Sequence, residues 1–212
     1  MHIGTAVNFS VIHAIAVHLG ADIALRIDDM DGARRRPEYV ADVFEMLNWL
    51  ELPWSYGPRD QAEATGWSQA HRLPEYRRAL QHLHRSGATY ACSCRRSAWT
   101  GYQGDECPHG CRTAGIPFVP GETSWRFHLD KLPDPVVWRV DDVPAYHLTS
   151  IVDDDLWNVD LVIRGEDLTE ATYVQREISL RLPGSTFHQA RVLHHGLIRD
   201  AEGQRSEEHT SE

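Results

Sequence analysis

The chain has 212 residues, of which 42% are apolar and 25% charged, and this length suits one domain that carries a small insertion. The formal net charge of -10 excludes a protein that binds nucleic acid through bulk positive charge, so any RNA contact must use a local basic patch. No apolar run is long enough to cross a bilayer and no signal-peptide pattern opens the chain, which predicts a cytoplasmic protein without a membrane partner.

Helical and strand patterns alternate at the start of the chain. Apolar residues at spacings of three and four predict a helix over residues 5–19 that ends at Gly20, and a second helix that begins at Pro37. The apolar run at residues 22–27 predicts a short buried strand between the two helices. This succession indicates an α/β unit.

Shorter elements follow along the rest of the chain. Residues 53–66 are rich in Pro, Gly and Trp and predict a loop, whereas residues 73–86 and 172–182 have helical spacing. Short apolar runs predict several strands. The predicted strands are residues 125–129, 136–140, 146–152, 161–163 and 189–193.

All four cysteines lie close together, as Cys92-Ser-Cys94 and Cys107-Pro-His-Gly-Cys111. Two close pairs of thiols separated by a short loop can converge on zinc, and a site with four thiolates leaves no open position for a substrate. We therefore predict a structural zinc site. His109 could replace one cysteine, although its position favours a loop residue, and four free cysteines without a metal are the alternative.

Polar residues at three other places suggest a ligand site. Gly4 and Thr5, preceded by His2, stand at the entrance to the first helix, where backbone amides and an imidazole could bind phosphate. An ordinary surface histidine is the alternative. Arg164 follows a predicted strand and could clamp a carboxylate or form a structural ion pair. Asp28 also follows a strand, where metal coordination, ammonium binding and helix capping are all open.

Taken in order, these stretches resemble the glutamyl-tRNA synthetase family. The resemblance extends from His2 to Gln204, and its motifs are together highly specific. They are His2-Ile-Gly-Thr5, Leu25-Arg-Ile-Asp-Asp-Met-Asp31, Arg36-Pro-Glu-Tyr39, Tyr146-His-Leu148 with Asp153-Asp154, and Val162-Ile-Arg-Gly-Glu-Asp-Leu168. The first of these is similar to the HIGH signature of class I synthetases, which binds ATP.

The fold that the resemblance implies is a Rossmann-type class I catalytic domain, α/β, with a small zinc-binding connective insertion. Residues 1–72 would form the first half of the catalytic domain and residues 141–204 the second half. Residues 73–140 would form the insertion with the zinc site.

The resemblance also assigns site residues. His2 would be catalytic and, with Gly4 and Thr5, would bind ATP, while glutamate would bind to Asp28, Tyr146 and Arg164. Arg164 would pair with a substrate carboxylate, and Tyr146 would supply a hydroxyl group and a wall. The family usually has glutamate at the position of Asp28. The shorter aspartate side chain departs from this pattern, and it could change the affinity for the amino acid or which amino acid is bound.

Within the family the sequence is most similar to the glutamyl-queuosine branch. Such enzymes activate L-glutamate with ATP, with Mg²⁺ as cofactor, and transfer it to the queuosine base of tRNA(Asp). Many members have tyrosine as the third zinc ligand, where this chain has Cys107 beside Cys92, Cys94 and Cys111. We therefore expect a monomeric ligase with structural Zn²⁺ that binds glutamate, ATP and tRNA(Asp).

Two alternatives remain open. The first is the catalytic part of a discriminating glutamyl-tRNA synthetase, for which tRNA(Glu) would be the partner. The second is a non-catalytic, zinc-stabilised RNA-binding paralogue that uses arginine clusters such as Arg34-Arg35-Arg36 and Arg95-Arg96. The retained His2, Tyr146 and Arg164 count against it.

The ends of the chain give a further expectation. Residues 205–212 match the translation of a sequencing adapter, and we expect them to be an artefact. By resemblance, a first strand would precede His2 and a KMSKS-type loop would follow Gln204. Because such a strand would be central in the sheet, we expect the chain as given to fold poorly and to be inactive.

Overall fold

The computed structural model describes residues 3–30, 37–99, 104 and 107–198. Its helices are α1 (Ile3–Leu19), α2 (Pro37–Trp49), α3 (Gln61–Ala64), α4 (Leu73–Arg85), α5 (Arg96–Trp99), α6 (Cys111–Ala114), α7 (Tyr146–Leu156) and α8 (Thr169–Ser179). Its strands are β1 (Thr89–Cys92), β2 (Ser124–Phe127), β3 (Val136–Trp138), β4 (Leu161–Gly165) and β5 (Arg191–His195).

The described residues divide into two units. Unit 1 takes its residues from 1–71, 161–169 and 192–212, and unit 2 from 72–160 and 170–191. Helices and strands occur in both, in agreement with an α/β fold. The assignment of residues 73–140 as an insertion stays a prediction, because packing alone defines these units.

Two of the predicted helices belong to unit 1. α1 ends where Gly20 takes a φ of 63°, and α2 begins at Pro37, so both boundaries agree with the sequence. A cluster of buried apolar side chains joins α2 to the segment that leads into Asp28. Its buried members are Leu25, Val40, Phe44, Leu47 and Ala64. A valine, leucine or phenylalanine side chain contributes about 1.5–3 kcal/mol when fully buried.

Residues 22–27 do not form the strand that their apolar run predicts. Ala24 makes a single parallel bridge with Tyr56, and Leu25 N donates a hydrogen bond of 2.8 Å to the carbonyl oxygen of Tyr56. A strand needs a continued ladder of such bonds. In the described part of the chain this segment pairs along one short stretch only, which leaves it extended but irregular.

Strands β4 and β5 pair with each other, and α1 packs against β4 in unit 1. The sequence predicted both strands, but the prediction for β4 ended two residues early and the prediction for β5 began and ended two residues early. The extension of β4 places Arg164 on the strand itself, next to its last residue, Gly165.

Unit 2 contains an antiparallel sheet in the order β1-β2-β3. Cys92 pairs with Ser124 and Tyr90 with Arg126, while Trp125 pairs with Trp138. The sequence predicted β2 and β3 but missed β1, whose four residues are all buried. Since β1 ends at Cys92, this sheet fixes the first of the four cysteines.

A buried ion pair joins α4 to α7 in unit 2. Asp153 of α7 has no exposed surface and accepts hydrogen bonds from Arg72 Nε (2.6 Å), Arg72 Nη2 (3.1 Å) and the Tyr76 hydroxyl (2.6 Å). Burial, together with the hydrogen bond to Asp153, raises the pKa of Tyr76, so its hydroxyl remains a donor. A buried carboxylate with three such bonds is fully compensated.

The prediction of a strand at residues 146–152 was wrong, because this segment begins helix α7. Its β-branched residues favour a strand, but tertiary packing overrides that preference. Leu148 and Ile151 are both fully buried, and their separation of three residues places them on one helical face. The hydroxyl of Ser150 donates to the carbonyl oxygen of Tyr146 at 2.9 Å, a bond of helical spacing.

In the ranges that the structure describes, none of the helices combines the length and the apolar character needed to span a bilayer.

Replacing Asp153 by alanine should lower the free energy of unfolding by about 3–5 kcal/mol, since it leaves the Arg72 guanidinium buried without its partner. Urea unfolding followed by circular dichroism measures the change. Arg78→Ala is the matched control, because Arg78 pairs with Glu75 at the surface and should contribute only about 0–1 kcal/mol. Equal losses in the two variants would contradict a stabilising role for this buried ion pair.

Candidate functional site

The N-terminal end of α1 is the predicted phosphate-binding position. Gly4 and Thr5 are half-buried in its first turn, and His2 lies outside the described residues. The first amides of a helix have no acceptor within the helix, and its dipole attracts anions. This end of a 17-residue helix therefore offers donors for a phosphate group.

One hydrogen bond ties α1 to the end of β5 within unit 1. His195 Nε2 lies 2.9 Å from Asn8 Oδ1, and His195 Nδ1 lies 2.9 Å from the carbonyl oxygen of Gly196. Asn8 is one turn beyond Gly4. The contact thus fixes the start of α1 to the sheet.

Asp28 stands after the extended segment of unit 1, with a side chain that is 44% exposed. Its Oδ1 accepts hydrogen bonds from Arg26 Nε at 2.7 Å and from Gln69 Nε2 at 3.2 Å. An exposed carboxylate of fixed orientation can receive the ammonium group of an amino acid. The neighbouring Asp31 lies outside the described residues.

Gln69 is a residue that the sequence analysis missed. It is 1% exposed and contacts residues 28–30, about forty positions earlier in the chain. Its side-chain Oε1 accepts hydrogen bonds from the backbone amides of Asp29 (3.1 Å) and Met30 (3.3 Å). The backbone amide of Gln69 in turn donates to Asp29 Oδ1 at 2.8 Å. A glutamine between a predicted loop and a predicted helix carries no local signal of such a contact.

Arg164 lies on β4 and is 7% exposed. A Cβ at Gly165 would overlap the Asp167 carboxylate and come within 3.0 Å of Leu197 Cδ2, so a larger residue there would require these two side chains to move. The Arg164-Gly165 pair thus brings a guanidinium and a closely packed backbone to the C-terminal end of a strand, where open α/β sheets bind ligands.

Tyr146 belongs to unit 2, whereas Asp28 and Arg164 belong to unit 1. It is the first residue of α7 and its side chain is 41% exposed, so the ring and hydroxyl can reach a ligand. That these three residues share one glutamate site stays a prediction.

The four cysteines of unit 2 converge, as their spacing predicted. Their Sγ atoms all lie within 4.8 Å of one another, and the Cys94–Cys107, Cys92–Cys107 and Cys94–Cys111 distances are 3.3, 3.7 and 3.8 Å. Sulfurs about 2.3 Å from a tetrahedral zinc ion would be about 3.8 Å apart. A disulfide needs about 2.05 Å. The cluster therefore has the dimensions of a four-coordinate metal site.

His109 is exposed and stands beside this cluster, with Nδ1 3.4 Å from the sulfur of Cys94. The four cysteines form the group whose ligand atoms are close enough together to bind one metal ion. His109 is thus placed to hydrogen-bond a sulfur, in keeping with its interpretation as a loop residue.

The thiols differ in their tendency to ionise. Burial raises the pKa of Cys92 to about 11 and also raises the pKa of Cys94. Burial acts in the same direction on Cys111, but hydrogen bonds from the Ser93 backbone and neighbouring groups outweigh it and lower its pKa to about 7. A bound metal ion would deprotonate all of its coordinating thiols.

A buried network behind the cluster supports it. Asp134 is 1% exposed and accepts from the Tyr90 hydroxyl (2.7 Å) and the Leu129 amide (2.9 Å), with Arg112 Nη2 3.6 Å away. Arg112 Nε also donates to His128 Nδ1 at 2.6 Å, and burial followed by the charge of Arg112 lowers the pKa of His128. The network ties β1, which ends at Cys92, to α6, which begins at Cys111.

Comparisons with known proteins agree with the motifs. A family model described as "tRNA synthetases class I (E and Q), catalytic domain" matches residues 1–112. The glutamyl-Q tRNA(Asp) synthetase of Rhodobacter capsulatus is 33% identical, over 97% of this chain and 85% of that protein. Glutamate–tRNA ligase 2 of Syntrophus aciditrophicus is 26% identical, over 93% of this chain and 47% of that protein.

The fold has solved relatives. The crystal structure of a glutamate tRNA ligase from Elizabethkingia meningosepticum in complex with its amino acid superposes with a TM-score of 0.75 at 19% identity. The match covers 96% of this chain and 48% of that one, so the chain spans about half the length of this solved relative. The protein therefore belongs to the class I aminoacyl-tRNA synthetases of the glutamate and glutamine group, a family of ligases, as its motifs predicted.

Proposed function

We propose that the protein activates L-glutamate with ATP and transfers it to the queuosine base of tRNA(Asp). The observation that carries this proposal is the 33% identity to a glutamyl-Q tRNA(Asp) synthetase over 97% of the chain. The exposed Asp28, the exposed Tyr146 and Arg164 at the end of its strand support it, because each has the charge or hydroxyl group that its role requires.

The amino acid is bound through its ammonium group and one of its two carboxylates. The Arg164 guanidinium pairs with a substrate carboxylate in bidentate fashion, and Asp28 accepts from the ammonium group. Tyr146 supplies a hydroxyl group and one wall. Burial of Arg164 strengthens its interaction, because a charge-assisted hydrogen bond shielded from water is less screened.

ATP lies with its phosphates at the N-terminal end of α1. The backbone amides of Gly4 and Thr5 donate to the phosphate oxygens, and His2 stabilises the charge that develops on them. An oxygen of the glutamate α-carboxylate, the carboxylate that Arg164 does not hold, attacks the α-phosphorus of ATP. The bond from this phosphorus to the oxygen that bridges it to the β-phosphate breaks, and glutamyl-adenylate and pyrophosphate result. Mg²⁺ supplies charge neutralisation to the phosphates when it is bound. The residues act by position and charge, since no covalent nucleophile takes part.

The four cysteines hold a structural zinc ion. Four thiolates would saturate the ion, which would therefore take no part in the reaction and would instead fasten β1 to α6. This part of the proposal rests on the Sγ distances of 3.3–3.8 Å and on the burial of Cys92, Cys107 and Cys111.

Transfer to tRNA distinguishes the two catalytic alternatives. Protein expressed from its complete reading frame should attach labelled glutamate to tRNA(Asp) that contains queuosine, and not to tRNA(Asp) that lacks it. The match to a glutamate–tRNA ligase makes tRNA(Glu) the second candidate. Preferential charging of tRNA(Glu) would replace the queuosine assignment, and the absence of glutamate-dependent pyrophosphate exchange would rule out both.

Replacing Arg164 by lysine should lower kcat/KM for glutamate by about 10²-fold or more in ATP–pyrophosphate exchange. Lysine keeps the positive charge but lacks the paired guanidinium donors that bind a carboxylate in bidentate fashion. Arg191→Lys, at an exposed position of β5, is the matched control and should retain activity. Unchanged kinetics of a folded Arg164→Lys protein would remove this residue from the site.

The purified protein should contain one zinc ion per chain by mass spectrometry of metals, and Cys107→Ser should lose most of it. Removal of zinc by a chelator should also lower the unfolding temperature, because the ion stabilises only the folded arrangement. His109→Ala is the control and should keep its zinc. Loss of zinc from the control would make His109 a ligand and contradict the set of four cysteines.

A further inference from the structure

The side chain of Gln69 is buried against the loop that carries Asp28. Gln69 begins a short 3₁₀ helix, Gln69–Arg72, and is 1% exposed, although its amide group is polar at both ends. Burial of such a group is stable only if its atoms find partners. Residues 28–30 supply these partners.

The partners determine which way the amide faces. The backbone amides of Asp29 and Met30 can only donate, so the atom 3.1 and 3.3 Å from them must be the acceptor Oε1. The amide nitrogen Nε2 must then face Asp28, where it donates to Oδ1 at 3.2 Å. The orientation of Gln69 is thus set by chemistry and cannot be reversed without breaking these bonds.

This arrangement also orients the carboxylate of Asp28. Arg26 Nε and Gln69 Nε2 both donate to Oδ1. Oδ2 therefore keeps its lone pairs for a ligand as far as residues 3–30 and 37–99 are concerned. Gln69 also accepts hydrogen bonds from the backbone amides of Asp29 and Met30. It therefore fixes both the side chain of Asp28 and the backbone of the loop that carries it.

We propose that Gln69 is a positioning residue for amino-acid recognition. It holds Asp28 so that Oδ2 receives the ammonium group of the substrate, and it does not touch the substrate itself. This inference rests on the proposed function, in which Asp28 binds that group. Its consequence is that Gln69 controls the affinity for the amino acid but not that for ATP.

Gln69→Glu separates this role from a purely structural one. The substituted side chain has nearly the same shape and keeps an acceptor for the amides of Asp29 and Met30. It replaces the donor that faces Asp28 by a second acceptor, which repels the carboxylate. A change confined to glutamate binding therefore reports on the bond to Asp28. Gln81→Ala, on the exposed face of α4, is the control.

The experiment is ATP–pyrophosphate exchange with protein from the complete reading frame. We expect KM for glutamate to rise about tenfold or more in Gln69→Glu, the effect of losing one hydrogen bond to a charged group. KM for ATP should stay within about twofold of wild type, and Gln81→Ala should match wild type. Gln69→Ala, which removes both contacts, should raise KM for glutamate at least as much.

Three outcomes would overturn the inference. The first is an unchanged KM for glutamate in a folded Gln69→Glu protein, and the second is an equal rise in KM for ATP. If both variants fail to fold, the backbone amides of Asp29 and Met30 are followed by hydrogen exchange in the wild-type protein, and the third outcome is that glutamate does not slow their exchange. Wild-type protein without exchange activity would instead refute the proposed function, so the two failures are distinguishable.

Discussion

A polar side chain that folding removes from water must find hydrogen-bond partners, because an unpaired one costs as much free energy as a lost bond. In this protein Gln69, Asp134 and Asp153 are each 1% exposed or less, and each meets the requirement with partners from distant segments. Asp153 links α7 to α4, and Asp134 contacts both Tyr90 of β1 and Arg112 of α6. Gln69 is hydrogen-bonded to residues 28–30. These buried bonds fix the segments that carry the site residues.

Local patterns predicted much of the fold and of the candidate site. The helices α1, α2 and α4 follow from apolar spacing, since periodicity and end signals are contained within each segment. The cysteine cluster was predictable for a similar reason. Each pair is close in sequence, so Cys92 with Cys94 and Cys107 with Cys111 need only one turn of chain each to converge.

Contacts between distant segments set the limit of what the sequence could predict. Residues 146–152 have strand-like composition, yet the burial of Leu148 and Ile151 against other elements makes them helical. The short apolar run at 22–27 needed a ladder of partners that its own composition does not specify. Gln69 was missed because nothing in its neighbours along the chain indicates a contact about forty residues away.

In the proposed function, the contact between Gln69 and the loop of Asp28 compensates for the shorter side chain at this position. Aspartate reaches one methylene less far than the glutamate usual at this position, so the place of its Cα decides whether the carboxylate reaches a substrate. That place depends on the loop backbone, which Gln69 holds through the amides of Asp29 and Met30. A short side chain also loses less rotamer freedom when it is fixed. A shorter carboxylate can therefore serve the proposed recognition when its loop is held in place by a buried side chain.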